Sequence, residues 1–411
     1  MKATLFTLLM ITCFARLAEA QTRQEATALI VAPVAGTPRV FDIDPAALRT
    51  NKSRILSKDE SILPAYTLLI KEADKGLGFA PVSVMEKTDF PPSGNKHDYM
   101  SLAPYFWPDP SKPGGLPYIR KDGHVNPEVK NYKDKENMPA MCGVISTLAL
   151  AYYFSDEEKY AEHAALLMRT WFLDTATRMN PNLNYGQAMK GHNTGRAAGL
   201  IDTRHFIKVI DAAGLISRSK AWQPGDHSGL QQWFAEFLRW MQTSKIGLNE
   251  MAATNNHGAW YDSQRLSMAL FTDSAALVKS IIASAASRLD RQVDTDGRFP
   301  EEMERTNSFH YTAFTMNAFF SIARQSATAG YDFWQLVTAS GKSLRMAFDK
   351  FYPYLVQDKK WDGPQIKIFN PEDGYSILFD AAAHLGCSQC RQKLDSLAGD
   401  KARRLLLNLL Y

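Results

Sequence analysis

The sequence predicts an all-α protein made of stacked antiparallel helical hairpins. Apolar side chains recur at helical spacing in ten or more segments, and patterns typical of β-strands are few. The segments alternate between almost wholly apolar ones, such as 141–154, and amphipathic ones, such as 157–172. A helix that is apolar all round belongs in an inner layer, and an amphipathic helix covers it from outside. We therefore expect about six or seven hairpins stacked side by side.

The helix candidates follow one another along the chain with short turns between most of them. No repeat unit of constant length is evident, so the sequence does not support a solenoid built from coded repeats. No linker separates two halves, so we expect one domain over residues 21–411. The candidates cover residues 44–76, 141–154, 157–172, 195–213, 231–244, 260–271, 275–289, 311–326, 333–351, 375–384 and 401–410.

The N-terminus has the pattern of a secretory signal peptide. Lys2 supplies a basic start, residues 5–14 are apolar, and Ala18-Glu19-Ala20 is a small-residue cleavage pattern. The apolar run is shorter than the roughly 20 residues that a membrane span needs. No later segment suggests a span either. We expect residues 1–20 to be removed and the rest to be exported to the periplasm or secreted, without a membrane anchor.

Charge and cysteine content restrict the partners. The chain has 47 basic and 43 acidic residues, and no run of Lys or Arg suggests a nucleic-acid partner. The mild basic excess suits an anionic polymer as the partner instead. We expect the protein to be a monomer.

Cys387 and Cys390 form a CSQC pattern that predicts a local disulfide in an oxidising compartment. Cys142 is expected to be a buried apolar side chain. No spacing of ligands predicts a metal site or another cofactor.

A long stretch at 81–127 interrupts the helical pattern. It is rich in proline, glycine and aromatic residues. A loop of this length is usually functional or disordered, and its aromatic content argues against disorder. We therefore expect it to be ordered and to have a function.

Two polar stretches at the starts of apolar helices hold candidate catalytic residues. Arg305 and Tyr311 stand just before the apolar run 314–320. Asn256 and His257 stand about one helix-loop-helix unit earlier, so two neighbouring hairpins could bring the four side chains together. Such a set can hold a sugar carboxylate and move a proton beside it. The adjacent His310 is expected to point away on its helix, in a structural role. Glu301, Glu302 and Glu304 are most simply a first-turn acidic cluster at a helix N-terminus.

Four ordered blocks carry a resemblance to a known family. They are NKHDYMSLAPYFWPDPSKPGGLPYIRKDGHVNPE, MNPNLNYGQAMKGHNTGRAAGLIDTR, NNHGAWYD and EEMERTNSFHYTAF. Together they resemble the signature blocks of the alginate-lyase-type polysaccharide lyases. The segment from Arg305 to Tyr311 is one residue shorter than in the best-known members, which indicates a sister family of the poly(mannuronate) lyases.

The resemblance implies an (α/α) barrel of the incomplete toroid type, with an anionic polysaccharide in a cleft across its open end. It implies that Asn256, His257, Arg305 and Tyr311 form the catalytic group. The loop at 81–127 would line this cleft, with aromatic rings stacking on sugar rings. The candidate contacts in the loop are Lys96, His97, Asp98, Tyr99, Tyr105 and Trp107. Further candidate contacts to the sugar are Gln187, His192, Asn193, Arg196 and Trp260.

Enzymes of this type remove the C5 proton of a uronate and break the bond to the oxygen on C4, which leaves an unsaturated end. Asn256 and Arg305 would neutralise the carboxylate beside C5. The charge of Arg305 is expected to lower the pKa of Tyr311. In mannuronate the proton and the oxygen leave from one face, so Tyr311 could act as both base and acid. In guluronate they leave from opposite faces, and His257 would be the base. Polymannuronate is favoured, and glucuronan is an alternative.

Two other classes of function fit parts of the pattern. A glycoside hydrolase needs two carboxyl groups, and Asp98 with one of Glu301, Glu302 or Glu304 could supply them. A non-catalytic polyuronate-binding protein would keep the aromatic cleft without needing Tyr311. Only the lyase produces an ultraviolet-absorbing unsaturated sugar end.

Overall fold

The computed structural model describes residues 37–411 and contains fourteen α-helices within them. The first half of the helices comprises α1 (Pro45–Leu56), α2 (Leu63–Gly76), α3 (Lys133–Ser155), α4 (Glu158–Met168), α5 (Phe206–Leu215), α6 (Pro224–Thr243) and α7 (Lys245–Met251). The second half comprises α8 (Asn256–Phe271), α9 (Ala275–Gln292), α10 (Pro300–Met303), α11 (Ser308–Thr328), α12 (Leu344–Leu355), α13 (Tyr375–His384) and α14 (Cys390–Ala398). A 3₁₀-helix, Ala197–His205, leads directly into α5.

The helices form two layers. In the inner layer α3 contacts α5, α5 contacts α8, α8 contacts α11 and α11 contacts α13. The inner helices are buried on nearly every side, and in α8 only His257 and Trp260 escape full burial. The outer helices α4 and α9 pack on α3 and α8 and bury one face each. The predicted all-α class with stacked hairpins is therefore confirmed.

Several predicted helix boundaries were wrong. The candidate at 44–76 is two helices, and the one at 401–410 is two 3₁₀ turns, Gly399–Arg404 and Leu406–Leu409. The candidate at 333–351 becomes helical only at Leu344, because a turn closed between Thr338 and Lys342 precedes it. Gly341 in that turn has a φ of 80°, which glycine adopts at little cost.

The long loop is ordered by pairing with a second loop. Strand β1 (Met100–Leu102) runs parallel to β4 (Tyr185–Ala188), and β2 (Phe106–Trp107) is antiparallel to β3 (Ile119–Arg120). The backbone N–H of Asn180 also donates to the carbonyl of His97 at 2.9 Å. The two irregular stretches thus form one wall at one end of the helical layers.

Helix α3 is long and apolar enough to cross a bilayer by length and composition, although we expected no such segment after residue 20. About 56% of its most apolar window is buried inside the protein. A buried core helix meets the same criteria, so the finding is weak evidence for a span. The signal peptide predicted at 1–20 lies outside the described residues.

The two cysteine predictions are confirmed. Cys387 and Cys390 form a disulfide across one turn before α14. Cys142 is a buried free thiol in α3, where burial raises its pKa to about 12.

A buried charge cluster joins the two ends of the described chain. Arg324 on α11 donates to the carbonyl of Asp42 at 2.8 Å and to its carboxylate at 3.2 Å. The same guanidinium binds the buried Asp380 on α13. Tyr411, the last residue, donates its hydroxyl to Asp380 at 2.8 Å. The cluster therefore ties the segment before α1 and the C-terminus to the inner layer.

Asp211 on α5 extends this cluster. Its carboxyl accepts the backbone N–H groups of Phe41 at 2.7 Å and Asp42 at 3.0 Å. Burial, with the nearby charge of Asp42, raises the pKa of Asp211 to about 8. The folded protein therefore holds a proton on Asp211 at neutral pH, where the unfolded chain does not. The stability that this proton contributes is complete below about pH 4 and is lost as the pH rises through about 8.

We expect Asp211→Asn to gain stability relative to the wild type as the pH rises from about 5 to about 8. The amide is neutral at every pH and keeps an acceptor oxygen for Phe41, so it does not need to bind the proton. The gain is at most about 1.4 kcal/mol per pH unit. Melting temperatures measured across this range test it. Asp400→Asn, at an exposed position in the last described turns, is the control and should follow the wild type. Parallel curves for Asp211→Asn and the wild type would contradict the prediction.

Candidate active site

A cavity of about 810 Å³ opens beside the wall formed by the two loops. Residues 104–106 and Arg120 bound one side of it, and the 3₁₀-helix Ala197–His205 bounds another. The N-terminal turns of α8 and α11 close the remaining side. Helix N-termini present unpaired N–H groups and a partial positive charge, so this arrangement favours an anionic ligand.

The start of α8 places His257 in the cavity. Asn255 caps the helix, and its side-chain oxygen accepts the backbone N–H of His257 at 3.1 Å. The Nδ1 atom of His257 lies 2.7 Å from a carboxylate oxygen of Glu250, which is buried. A carboxylate at Nδ1 holds the proton on that nitrogen and leaves the lone pair of Nε2 available. His257 is therefore oriented to accept a proton or a hydrogen bond through Nε2.

Gly258 is required by the packing next to His257. A Cβ atom there would collide with the guanidinium of Arg288 and with the carbonyl of Ala253. Arg288 is fixed by Asp262 at 2.7 Å and by the carbonyls of Ala253 at 2.6 Å and Met251 at 2.8 Å. The glycine in NNHG thus lets Arg288 hold the turn before α8 against the helix.

Asn256 is bound to Glu302. Its Nδ2 donates to both carboxylate oxygens of Glu302 at 3.0 Å, and its backbone N–H donates to one of them at 2.6 Å. Its side-chain oxygen is buried and has no hydrogen-bond partner among the described residues. The expected donation from Asn256 to a substrate carboxylate is therefore not available in this orientation, because Glu302 occupies the donors.

Glu302 lies in the first turn of α10, as predicted for this acidic cluster, but only 1% of it is exposed. Burial raises the pKa of its carboxyl, and the hydrogen bonds from Asn256 and Thr315 oppose that shift. Glu302 joins the start of α8 to α11 and does not face solvent.

Tyr311 lies between Tyr105 and Arg305. Its hydroxyl is 2.7 Å from the hydroxyl of Tyr105, which comes from the long loop. The guanidinium of Arg305 stacks on the Tyr311 ring, with Cζ 3.7 Å from the ring centroid. Arg305 also donates to Asp122 at 2.8 and 3.2 Å. Loop and helix thus fix the tyrosine from both sides.

The expected lowering of the Tyr311 pKa was wrong. Burial raises the pKa of Tyr311 above its ordinary value, Tyr105 adds to the rise, and Arg305 only opposes it. The guanidinium lies against the ring face, and Asp122 already offsets its charge. The hydroxyl of Tyr311 is therefore protonated at neutral pH.

Positive charge dominates the cavity lining. Asp122 pairs with two of the arginines, at 2.9 Å from Arg120 and 2.8 Å from Arg305. Arg196 donates to the side-chain oxygen of Gln187 at 2.9 Å. Cations in excess over carboxylates attract a polyanion and raise its local concentration. The lining cations are Arg120, Lys135, Arg196, Arg204 and Arg305, and the lining carboxylates are Glu250 and Asp373.

Comparison with known proteins identifies the family. The family model described as alginate lyase matches residues 83–361. The chain belongs to the alginate lyase family. It is 36% identical to an alginate lyase from Bacteroides ovatus whose crystal structure superposes with a TM-score of 0.86, over 91% of this chain and 99% of that one. The predicted resemblance is confirmed, and the protein is a polysaccharide lyase.

More distant lyases share the fold. Alginate lyase A1-III from Sphingomonas species A1 superposes with a TM-score of 0.54 at 15% identity, over 84% of this chain and 89% of that one. A variant of A1-III complexed with a tetrasaccharide gives a TM-score of 0.57 at 14% identity, over 92% and 97% of the two chains. No curated protein sequence gives a significant match. The (α/α) toroid predicted for this lyase is thus confirmed.

All four predicted catalytic residues of the lyase line the cavity, although they come from two distant parts of the sequence. Among the other predicted contacts, Tyr105, Gln187 and Arg196 line it as well.

Four predicted contacts from the long loop lie elsewhere. Lys96 stacks over Phe90 at 5.1 Å, and His97 bonds the carbonyl of Arg178 at 2.6 Å. The other two are buried. Asp98 accepts hydrogen bonds from two asparagines, and Tyr99 donates its hydroxyl to Asp202. The segment 96–99 therefore anchors the wall from behind, and its side chains do not reach the cavity.

The remaining predicted contacts also miss the cavity. Trp107 donates to the carbonyl of His124 at 2.9 Å, and His192 bonds the carbonyl of Tyr118 at 2.7 Å. Asn193 accepts the backbone N–H of Met189, which closes a turn. Trp260 packs against Phe314 with ring centroids 5.2 Å apart. Each of these side chains supports the wall or a helix start.

Sequence reasoning missed several cavity residues of the lyase. His310 lines the cavity although it was expected to point away, and its Nδ1 lies 3.7 Å from Asp373. Phe106 lies beside the predicted Tyr105 and Trp107, so the aromatic pattern marked its neighbourhood. Nothing in the local sequence indicated Glu250, which contacts His257 in the next helix, or Asp122 behind the lining, whose partner Arg305 is far away along the chain.

We expect Gly258→Ala to destabilise the lyase and lower its activity together. The added methyl displaces Arg288 or the start of α8, and overpacking of this kind costs about 1–3 kcal/mol. Gly143→Ala is the matched control, because its Cβ would meet nothing within 4 Å inside α3. That change should leave the protein unchanged or more stable by about 0.5–1 kcal/mol. Melting curves and initial rates test both, and a Gly258→Ala protein that matches Gly143→Ala would contradict this account.

Proposed function

We propose that the protein cleaves a polyuronate, alginate with polymannuronate preferred, by β-elimination. A base takes the proton from C5, a double bond forms between C4 and C5, and the bond from C4 to its glycosidic oxygen breaks. An acid protonates the departing oxygen, so one product carries an unsaturated uronate end. The observation that supports this most directly is that Tyr311 and His257 line one cation-rich cavity. The family and the Bacteroides ovatus relative support alginate as the substrate.

Tyr311 suits the role of the acid. Its raised pKa keeps the hydroxyl protonated, and the hydrogen bond to Tyr105 fixes the direction of that hydroxyl. A positioned general acid typically contributes about 10²- to 10⁴-fold to the rate. Tyr105 would stabilise the phenolate that remains after the transfer by donating its own hydroxyl to it.

The identity of the base depends on the uronate. In a mannuronate unit Tyr311 would act on the same face as both base and acid. The phenolate needed for the first step is stabilised by the hydroxyl of Tyr105 and by the cation of Arg305 on the ring. In a guluronate unit the proton leaves from the opposite face, and Nε2 of His257 would take it.

The reacting carboxylate needs positive charge or N–H donors. Arg305 holds Asp122 through Nε and Nη2, and its Nη1 donates to no described residue. That Nη1 can bind the carboxylate while the Asp122 pair stays intact. Asn256 would have to release Glu302 first. The raised pKa of Glu302 favours this exchange, because a protonated Glu302 can donate to the oxygen of a turned amide.

The competing functions find less support. A hydrolase using Asp98 and a nearby glutamate would need both in the cavity, but Asp98 binds Asn180 and Asn182 behind the wall. Two carboxylates do line the cavity, and each contacts a histidine: Glu250 contacts His257, and Asp373 contacts His310. Glucuronan remains the alternative polymer. We also propose that the protein acts outside the cytoplasm, on the basis of the signal pattern in residues 1–20. That it acts as a monomer stays a prediction.

Tyr311→Phe is expected to lower the production of unsaturated ends by at least about 10³-fold, because base and acid are lost together on a mannuronate polymer. Tyr352→Phe is the matched control. It removes the same atom from a buried hydroxyl that has no hydrogen-bond partner among residues 37–411. Absorbance of the unsaturated product on polymannuronate, with melting temperature as the folding check, gives the comparison. A folded Tyr311→Phe protein within about tenfold of the wild type would transfer the role of base to His257.

His257→Ala is expected to separate the two stereochemical routes. Turnover of polyguluronate should fall by at least about 10²-fold, because its base is removed. Turnover of polymannuronate should fall less, since His257 there only positions the substrate. Initial rates on the two polymers and on glucuronan give the comparison and also establish the preferred uronate. Equal losses on polymannuronate and polyguluronate would contradict the proposed division of roles.

A further inference from the structure

The segment Ala197–His205, which bounds one side of the cavity, is unusually long for its helix type. It is a 3₁₀-helix of nine residues, whereas runs longer than three or four residues are uncommon. With three residues per turn, side chains at every third position stand in one row. Ala198, Ile201 and Arg204 form such a row, and all three line the cavity. In an α-helix the same spacing would turn Arg204 away from Ala198.

Arg204 enters the cavity with its charge unpaired by any carboxylate. One of its Nη atoms donates to the carbonyl of Ile201 at 3.0 Å, and it forms no ion pair with any residue in 37–411. The nearby carboxylate of Asp202 is fully buried and already bound by Lys135, Gln187 and other donors. A partly buried cation without an anion is costly, and a ligand carboxylate would remove that cost.

The neighbours of Arg204 place it next to the reaction centre. Its guanidinium carbon lies 5.3 Å from the ring centroid of Phe314, which also lines the cavity. Phe314 is three residues after Tyr311 on α11, so the two side chains are neighbours on one face of the helix. A sugar unit over Phe314 would therefore be adjacent to the unit that Tyr311 cleaves.

The far edge of this region is marked by His310 and Asp373. The imidazole of His310 stacks with Phe314, with centroids 6.1 Å apart and planes 10° apart. Its Nδ1 lies 3.7 Å from Asp373. A carboxylate at this edge repels a uronate carboxylate, which leaves Arg204 as the attractive partner on this side.

We infer that Arg204 and Phe314 form a binding subsite for the uronate unit next to the one cleaved. The guanidinium fork donates to the sugar carboxylate, and the ring of Phe314 covers an apolar face of the sugar. The inference rests on the proposed polyuronate lyase function and adds a residue to it. It assigns to Arg204 a role in holding the polymer, separate from the chemistry at Tyr311.

The test compares Arg204→Gln with Arg204→Lys and with a matched control. Arg239→Gln removes the same charge from an exposed position on α6 outside the cavity. We expect Arg204→Gln to raise KM for polymannuronate roughly tenfold, the effect of losing one hydrogen-bonded charge, and to change kcat by a smaller factor. Arg204→Lys should recover part of the affinity, and Arg239→Gln should match the wild type. Melting temperatures show that each variant is folded.

Two outcomes would overturn the subsite. One is a KM of Arg204→Gln within about twofold of that of Arg239→Gln. The other is a loss confined to kcat, which would make Arg204 a support for the catalytic group. If the wild type forms no unsaturated ends from any polyuronate, the proposed function fails by itself. Calorimetric titration with polymannuronate oligosaccharides then decides the subsite: weaker binding by Arg204→Gln than by Arg239→Gln supports it, and equal binding overturns it.

Discussion

The buried carboxylate of Glu302 is the contact on which the site most depends. It accepts the backbone and side-chain N–H groups of Asn256 at the start of α8 and the hydroxyl of Thr315 on α11 at 3.0 Å. These two helices carry His257 and Tyr311. A carboxyl group with so little exposure needs several donors to be tolerated, and here the donors come from both helices. The need to satisfy this one group therefore sets the distance between the two halves of the candidate catalytic group.

A second carboxylate attaches the loop wall to the same place. Asp122 accepts from Arg305 and also from the backbone and the hydroxyl of Thr306, at 3.2 and 2.9 Å. Burial opposes ionisation of Asp122, but the hydrogen bonds and charge of Arg305 hold its pKa well below its usual range. The contact brings Tyr105 within reach of Tyr311. The long loop is thus part of the candidate active site through one ion pair and one hydroxyl contact, and its ordered strands keep both in place.

How much could be predicted from the sequence depends on how far apart along the chain the interacting residues lie. Helical periodicity is local, so the all-α class and most helices were predictable, while the turn before Leu344 and the final 3₁₀ turns were not. The motif blocks identified Asn256, His257, Arg305 and Tyr311 because the resemblance marks them directly. Their partners were missed or misread for a different reason. Glu250, Glu302 and Asp122 act through hydrogen bonds to residues in other segments, and nothing in their local sequence distinguishes them from solvated acids.

The distribution of charge in the cavity has a consequence for how a polymer is held. Three of the lining cations are already paired, since Arg305 and Arg120 share Asp122 and Lys135 binds Asp202. A partnered cation offers less to a ligand, because part of its field is cancelled. Arg196 directly precedes the 3₁₀-helix Ala197–His205, and Arg204 lies near its end. Neither arginine has a carboxylate partner among the described residues. Attraction for a polyanion is therefore strongest at these two positions, which favours a chain that spans the cavity over a single sugar.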